Sequence, residues 1–86
     1  MVHLPLQYML ILLGTVGLVC LFAAFFLNAG GRLASTSFWY NWLNSFGGFL
    51  LAYFALTSND AIFAILNVFW GAVAFWHLAR LLWQSP

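Results

Sequence analysis

The stretch Ser37-Phe38-Trp39-Tyr40-Asn41-Trp42-Leu43-Asn44-Ser45-Phe46-Gly47-Gly48 sets small polar side chains among bulky aromatic ones. Followed onward, Ser37, Asn41, Asn44, Ser45, Gly48, Ala52 and Ala55 recur at intervals near three and four. Positions so spaced share one face of an α-helix. Trp42, Phe46, Phe49, Leu50, Tyr53 and Phe54 fall largely on the opposite face. In lipid the small polar face of such a helix turns toward protein and the bulky face toward acyl chains.

The rest of the chain agrees with a lipid surrounding. Of 86 residues only 3% are charged, against roughly 25% in a soluble domain. The charged side chains are Arg32, Asp60 and Arg80, too few to keep a folded surface wet. A soluble globular fold and disorder are excluded, and nucleic-acid binding lacks its basic patch. Cys20 is alone, so a disulfide scaffold is excluded as well. A membrane helix needs about 20 mostly apolar residues, and three such spans are expected, from about Leu6 to Leu27, Phe38 to Leu56 and Ala61 to Leu82. Lipid offers backbone groups no partners, so the spans are helices; they lack the alternation of a barrel strand. Span one also lacks the basic leader of a signal peptide and is read as retained. The expected fold is all-α: a single domain over residues 1–86, three transmembrane helices in a bundle, assembled as a homodimer or within a larger complex.

The joints carry their own signals. Pro5 opens span one, where a missing N–H costs little. Asn28-Ala29-Gly30-Gly31-Arg32 ends it, because glycine takes left-handed geometry freely. Ser35-Thr36-Ser37 offers oxygens to cap span two, and Thr57-Ser58-Asn59-Asp60 does so for span three. Asp60 is the expected cap there, with its charge at the positive end of the helix dipole. Three spans put Arg32 and Arg80 on one side and Asp60 on the other. Positive charge stays in the cytoplasm, so the N-terminus is expected outside and the C-terminus inside, in a bacterial inner membrane. Trp39, Tyr40, Trp42 and Trp83 then lie near the inner interface and Tyr8 near the outer one.

Gly14 and Gly17 of span one, Gly48 of span two, and Gly71 and Ala74 of span three are read as helix-packing positions. Asn41, Asn44 and Asn67 need an explanation, since an unpartnered amide in hydrocarbon costs about 2–7 kcal/mol. They are either helix-to-helix glue or, with Trp70, the lining of a polar route. His3 and His77 sit at opposite ends of the molecule and cannot clamp one iron between them. His77 alone is a weak candidate for a pigment or haem. Cys20 has no second thiol to bind metal, so no metal and no cofactor are expected. No nucleophile–base pair, carboxylate pair or phosphate loop is present, and no enzymatic activity is expected.

The stretch Ser37 to Gly48, with Asn67-Val68-Phe69-Trp70, resembles a family of small three-helix bacterial membrane proteins of unassigned function. More distantly, the layout is similar to SemiSWEET transporters of the PQ-loop type. That resemblance implies a parallel homodimer around a central route, with Asn67 in the place of the binding-site asparagine. Two features depart from it: span one has no Pro-Gln pair to act as a hinge, and Leu50 stands where a pocket tryptophan is expected. The function expected is a SemiSWEET-like carrier of a small polar solute, with Asn41, Asn44, Asn67 and Trp70 along the route. The alternative is a non-catalytic accessory subunit of a respiratory, photosynthetic or transport complex, its amides serving helix packing. The partners are the lipid bilayer and either a second copy or other membrane subunits.

Overall fold

The structure is a computed structural model that describes residues 5–84. His3 lies outside the described residues. The described residues form three helices, α1 over Leu6–Ala29, α2 over Phe38–Thr57 and α3 over Ala61–Trp83. Each helix runs one or two residues beyond the expected span, a difference no larger than the ordinary fraying of helix ends.

Local chemistry accounts for the ends. Pro5 caps α1, and its carbonyl accepts the first bonds, from the N–H groups of Tyr8 and Met9. At the far end Gly31 has φ +75°, while Arg32 N–H bonds to Leu27 O at 2.9 Å and Gly31 N–H to Asn28 O at 3.1 Å. This pair of bonds is the Schellman closure, and it places glycine at the left-handed position. Helix α2 ends the same way with Asn59 at φ 59°: Asp60 N–H bonds to Ala55 O at 2.9 Å and Asn59 N–H to Leu56 O at 3.2 Å. Asp60 serves both helices. Its N–H closes α2, and its Oδ1 accepts from Phe63 N–H at 3.0 Å to open α3. Ser37 Oγ opens α2 by accepting from Tyr40 N–H at 3.1 Å.

Helix α2 lies between the other two. Glycines set both contacts. A Cβ built on Gly17 would meet Gly47 O at 2.8 Å, and one built on Gly47 would meet Gly17 O at 2.7 Å. A hydrogen stands where each Cβ would be, so each glycine points a Cα–H at the other's carbonyl, a weak bond of about 0.5–1 kcal/mol. On the other side a Cβ on Gly48 would come within 3.0 Å of the Gly71 backbone. Successive residues of an α-helix point about 100° apart. Gly47 therefore directs α1, and Gly48 directs α3, along lines about 100° apart around α2. With axes about 8 Å apart at each contact, α1 and α3 stand about 12 Å from each other, too far to pack. Accordingly α1 contacts α2 and α2 contacts α3, but α1 and α3 do not meet. The arrangement is a three-helix assembly opened about its middle member rather than one closed on itself.

This corrects the single small face expected for α2. The helix buries Asn44, Ser45, Gly48, Ala52 and Ala55 as expected, but also Gly47 and Leu51. Leu50 and Phe54, expected among the lipid-side residues, instead cover glycines: Leu50 Cβ lies against Gly17 and the Phe54 ring against Gly14. The Phe49 ring covers Gly71. Bulk thus fills the space that glycine leaves.

Size is distributed inside out. Among the described residues the buried set contains glycine, alanine, serine, asparagine and two leucines, Leu51 and Leu78, and no aromatic ring. Phe22, Phe25 and Phe26 of α1 and Phe69, Phe75 and Trp76 of α3 are exposed. Helices α1 and α3 are long and apolar enough to cross a membrane; α2 is not among them. Its asparagines, serine and paired glycines dilute its apolar character, and these are the residues its neighbours cover. Its outer side carries an aromatic run in which Trp42 stacks on Phe46 with ring centres 4.9 Å apart.

The glycine contacts lead to a measurable expectation. Gly47→Val and Gly48→Val should each destabilise the fold by about 1–3 kcal/mol, because a branched side chain meets backbone that cannot yield. Leu12→Val, on the exposed side of α1, should stay within about 0.5 kcal/mol. Thermal unfolding in detergent, followed by circular dichroism, checks both.

Candidate functional site: the cleft between the second and third helices

A cleft of about 720 Å³ lies between the first half of α2 and the second half of α3. The antiparallel packing of these helices brings their ends together with the loop that precedes α2. Ser35, Thr36, Tyr40, Asn41 and Asn44 line one side. Trp70, Val73, Ala74, His77, Arg80 and Gln84 line the other. The α3 residues recur at intervals of three and four, so they form one stripe along the helix. The stripe is apolar near the middle of α3 and polar toward its end.

Three of the four expected route residues, Asn41, Asn44 and Trp70, share this cleft. Asn67 is not among its lining residues. It is buried at the crossing of α2 and α3, where its backbone carbonyl lies 3.2 Å from the Cβ position of Gly48. The difference follows from the helical period. Trp70 belongs to the 70–73–77 stripe, whereas Asn67 belongs to the 64–67–71–74 stripe that packs on α2.

The amides are largely engaged within the chain. Asn41 Nδ2 donates to Ser35 O at 3.0 Å and to Ser37 O at 2.9 Å. Both of its N–H groups are thus occupied in fixing the loop against α2, which shapes the mouth of the cleft. Asn67 Nδ2 donates to Phe63 O at 2.9 Å, one turn back on its own helix. Asn44 Nδ2 donates likewise to Tyr40 O at 2.8 Å, and its Oδ1 accepts from the indole Nε1 of Trp70 at 2.8 Å. That last bond is the one side-chain pair that joins two helices among the described residues. It lies one turn from the Gly48–Gly71 contact, and the close backbones there bring the indole within reach of the amide. No buried side-chain N or O among the described residues lacks a partner.

The other singled-out residues are placed as follows. Gly14, Gly17, Gly48, Gly71 and Ala74 all sit at helix contacts. Cys20 packs near Gly47. No group of three or more His, Cys, Asp or Glu among the described residues is placed to hold a metal. The sequence assigns Gln84 no role; it offers His77 only as a pigment or haem candidate, and it places Tyr40 at the inner interface and Arg80 as a topology marker and lipid-headgroup contact. The signal that groups the α3 members is their register with Trp70.

Comparison with known proteins adds a family. Residues 10–85 match a family of unknown function, and the chain belongs to it. No curated protein and no solved structure matches the chain. No link to the SemiSWEET transporters is shown.

A double-mutant cycle tests the bond between the helices. Asn44→Ala and Trp70→Phe, measured singly and together by unfolding in detergent, should show a coupling of about 0.6–2 kcal/mol. Asn67→Ala combined with Trp70→Phe should be additive within about 0.5 kcal/mol, because the Asn67 amide bonds within its own helix. Equal coupling in the two pairs would contradict this assignment.

Proposed function

We propose that the chain is a membrane-embedded, non-catalytic subunit that works within a larger membrane assembly. All three helices lie in the bilayer. At 1.5 Å per residue α2 is about 30 Å long, the thickness of the hydrocarbon core. Its polar residues are covered by α1 and α3. The N-terminus is outside, and Arg32 and Arg80 are on the cytoplasmic side, where retained positive charge belongs. The observation that carries the functional reading is the engagement of the amides. Asn41, Asn44 and Asn67 donate to carbonyls of the chain itself, and Asn44 also holds Trp70. Of these bonds, that between Asn44 and Trp70 positions two helices against each other, and those of Asn41 fix the loop before α2. The bulky exposed faces of α1 and α3 suit lipid or the helices of other subunits.

A second reading rests on a different observation. Asn41, Asn44 and Trp70 line one cleft that is open along a side. A second copy facing it about a two-fold axis would enclose a route for a small polar solute, as in the SemiSWEET design. Binding there would require the Asn44–Trp70 bond to open.

The two readings separate experimentally. In a mild detergent the subunit should migrate on native gels with larger partners in a ratio that repeats between preparations, and Asn44→Ala should weaken that association. A lone homodimer that takes up a polar solute in reconstituted vesicles, and loses uptake but not pairing on Asn44→Ala, would overturn the subunit reading for the carrier. Orientation is read on a Cys20→Ala background. An impermeant thiol reagent added outside intact cells should label Ser58→Cys and spare Thr36→Cys.

A further inference from the structure

The geometry points to the α2–α3 cleft as a binding site for one phospholipid with an anionic headgroup. The phosphate meets Arg80 and His77 at the mouth, and an acyl chain runs inward past Val73 toward Trp70.

Four observations support this. First, Arg80 has no side-chain counterion in the chain. The only carboxylate side chain in the sequence is Asp60, which caps the opposite end of α3, about 30 Å away along the helix at 1.5 Å per residue. A guanidinium beside hydrocarbon is well served by an anion from outside, and arginine's planar fork matches phosphate oxygens. Second, His77 lies one turn from Arg80 on the same stripe and lines the same cleft, which adds a ring N–H donor. Third, Arg80 and Gln84 stand at the end of the cleft and Phe69, Val73 and Trp70 toward the middle of α3, where the one amide, Asn44, is already bonded to Tyr40 O and the Trp70 indole. Fourth, its volume of about 720 Å³ lies within the range usual for ligand sites, about 300–1,000 Å³.

The same chemistry selects among lipids. A zwitterionic headgroup carries a cation of its own, and no carboxylate lines the cleft to receive it. An anionic headgroup with free hydroxyls, of the phosphatidylglycerol type, leaves Arg80 unopposed and offers its hydroxyls to Tyr40 and Gln84. Arg32 does not line the cleft, although it lies toward the same side of the molecule.

This inference rests on the membrane-embedded reading above, and native mass spectrometry from mixed micelles tests it. Phosphatidylglycerol and phosphatidylcholine are offered in equal amounts to the full chain. One phosphatidylglycerol per chain should be retained, in about tenfold preference or more, because both lipids offer Arg80 a phosphate but only phosphatidylcholine brings a cation beside it. Arg80→Gln should abolish the preference, Arg80→Lys should keep part of it, and Arg32→Gln should leave it unchanged. Circular dichroism checks that each variant is folded, and if Arg80→Gln is not, Arg80→Lys carries the comparison. Retention of both lipids alike, or an equal loss in Arg32→Gln, overturns the inference. So does displacement of the lipid by soluble glycerol phosphate, which would mark a site for the anion alone. A chain that inserts into vesicles but shows no preference defeats only this inference. A chain that fails to insert defeats the membrane reading as well.

Discussion

Backbone-to-backbone contact on two sides of one helix governs this fold. Gly47 and Gly48 are adjacent, and each admits a neighbour's backbone closer than a side chain ordinarily allows, at 2.7 Å and 3.0 Å from the respective Cβ positions. Because adjacent residues diverge around the helix, the two neighbours are directed apart and α2 becomes the shared member. In the lipid surrounding proposed above, the driving force would be close packing, since hydrocarbon is as apolar outside the protein as within it. Small residues at the crossings and large ones at the exterior follow from that single requirement. So does the way Leu50, Phe49 and Phe54 cover the glycines opposite them.

The polar residues complete this packing. The bond from Asn67 Nδ2 runs one turn back along its own helix, so it does not choose a neighbour. Asn44 does, because its oxygen needs a donor and Trp70 supplies one across the crossing. The glycine contact and the Asn44–Trp70 bond lie within a turn of each other and specify the same register. Packing sets the separation of α2 and α3, and the hydrogen bond resists sliding between them. The cleft extends from that bond toward the loop before α2 and the end of α3.

Much of this was legible in the sequence. The three helices followed from the apolar runs, and their ends from Pro5, Gly31, Ser37 and Asp60, whose chemistry is local. The packing faces of α1 and α3 followed from simple spacing. What could not be read was that α2 presents two faces. Gly47 sits outside the three-and-four pattern of Ser37, Asn44 and Gly48, and only a neighbour's glycine gives it a role. Leu50 and Phe54 looked like lipid-side residues because periodicity shows direction and not what stands opposite. The cleft was half legible: Trp70, His77, Arg80 and Gln84 are in register, but the approach of Tyr40 and Asn41 depends on how the second helix packs. Asn67 illustrates the limit, since residue type alone grouped it with asparagines that serve another surface.

The contrast between the two sides of α2 has a mechanical consequence. The α2–α3 pair is joined by a turn in which Asp60 terminates one helix and starts the next, and the pair is cross-linked by Asn44 and Trp70. Among the described residues α1 holds α2 by packing and Cα–H contacts alone, through a longer loop. Tension applied at the amino end would therefore peel the first helix away before the hairpin behind it yields. The molecule is a sturdy two-helix clip with a more weakly attached third rod.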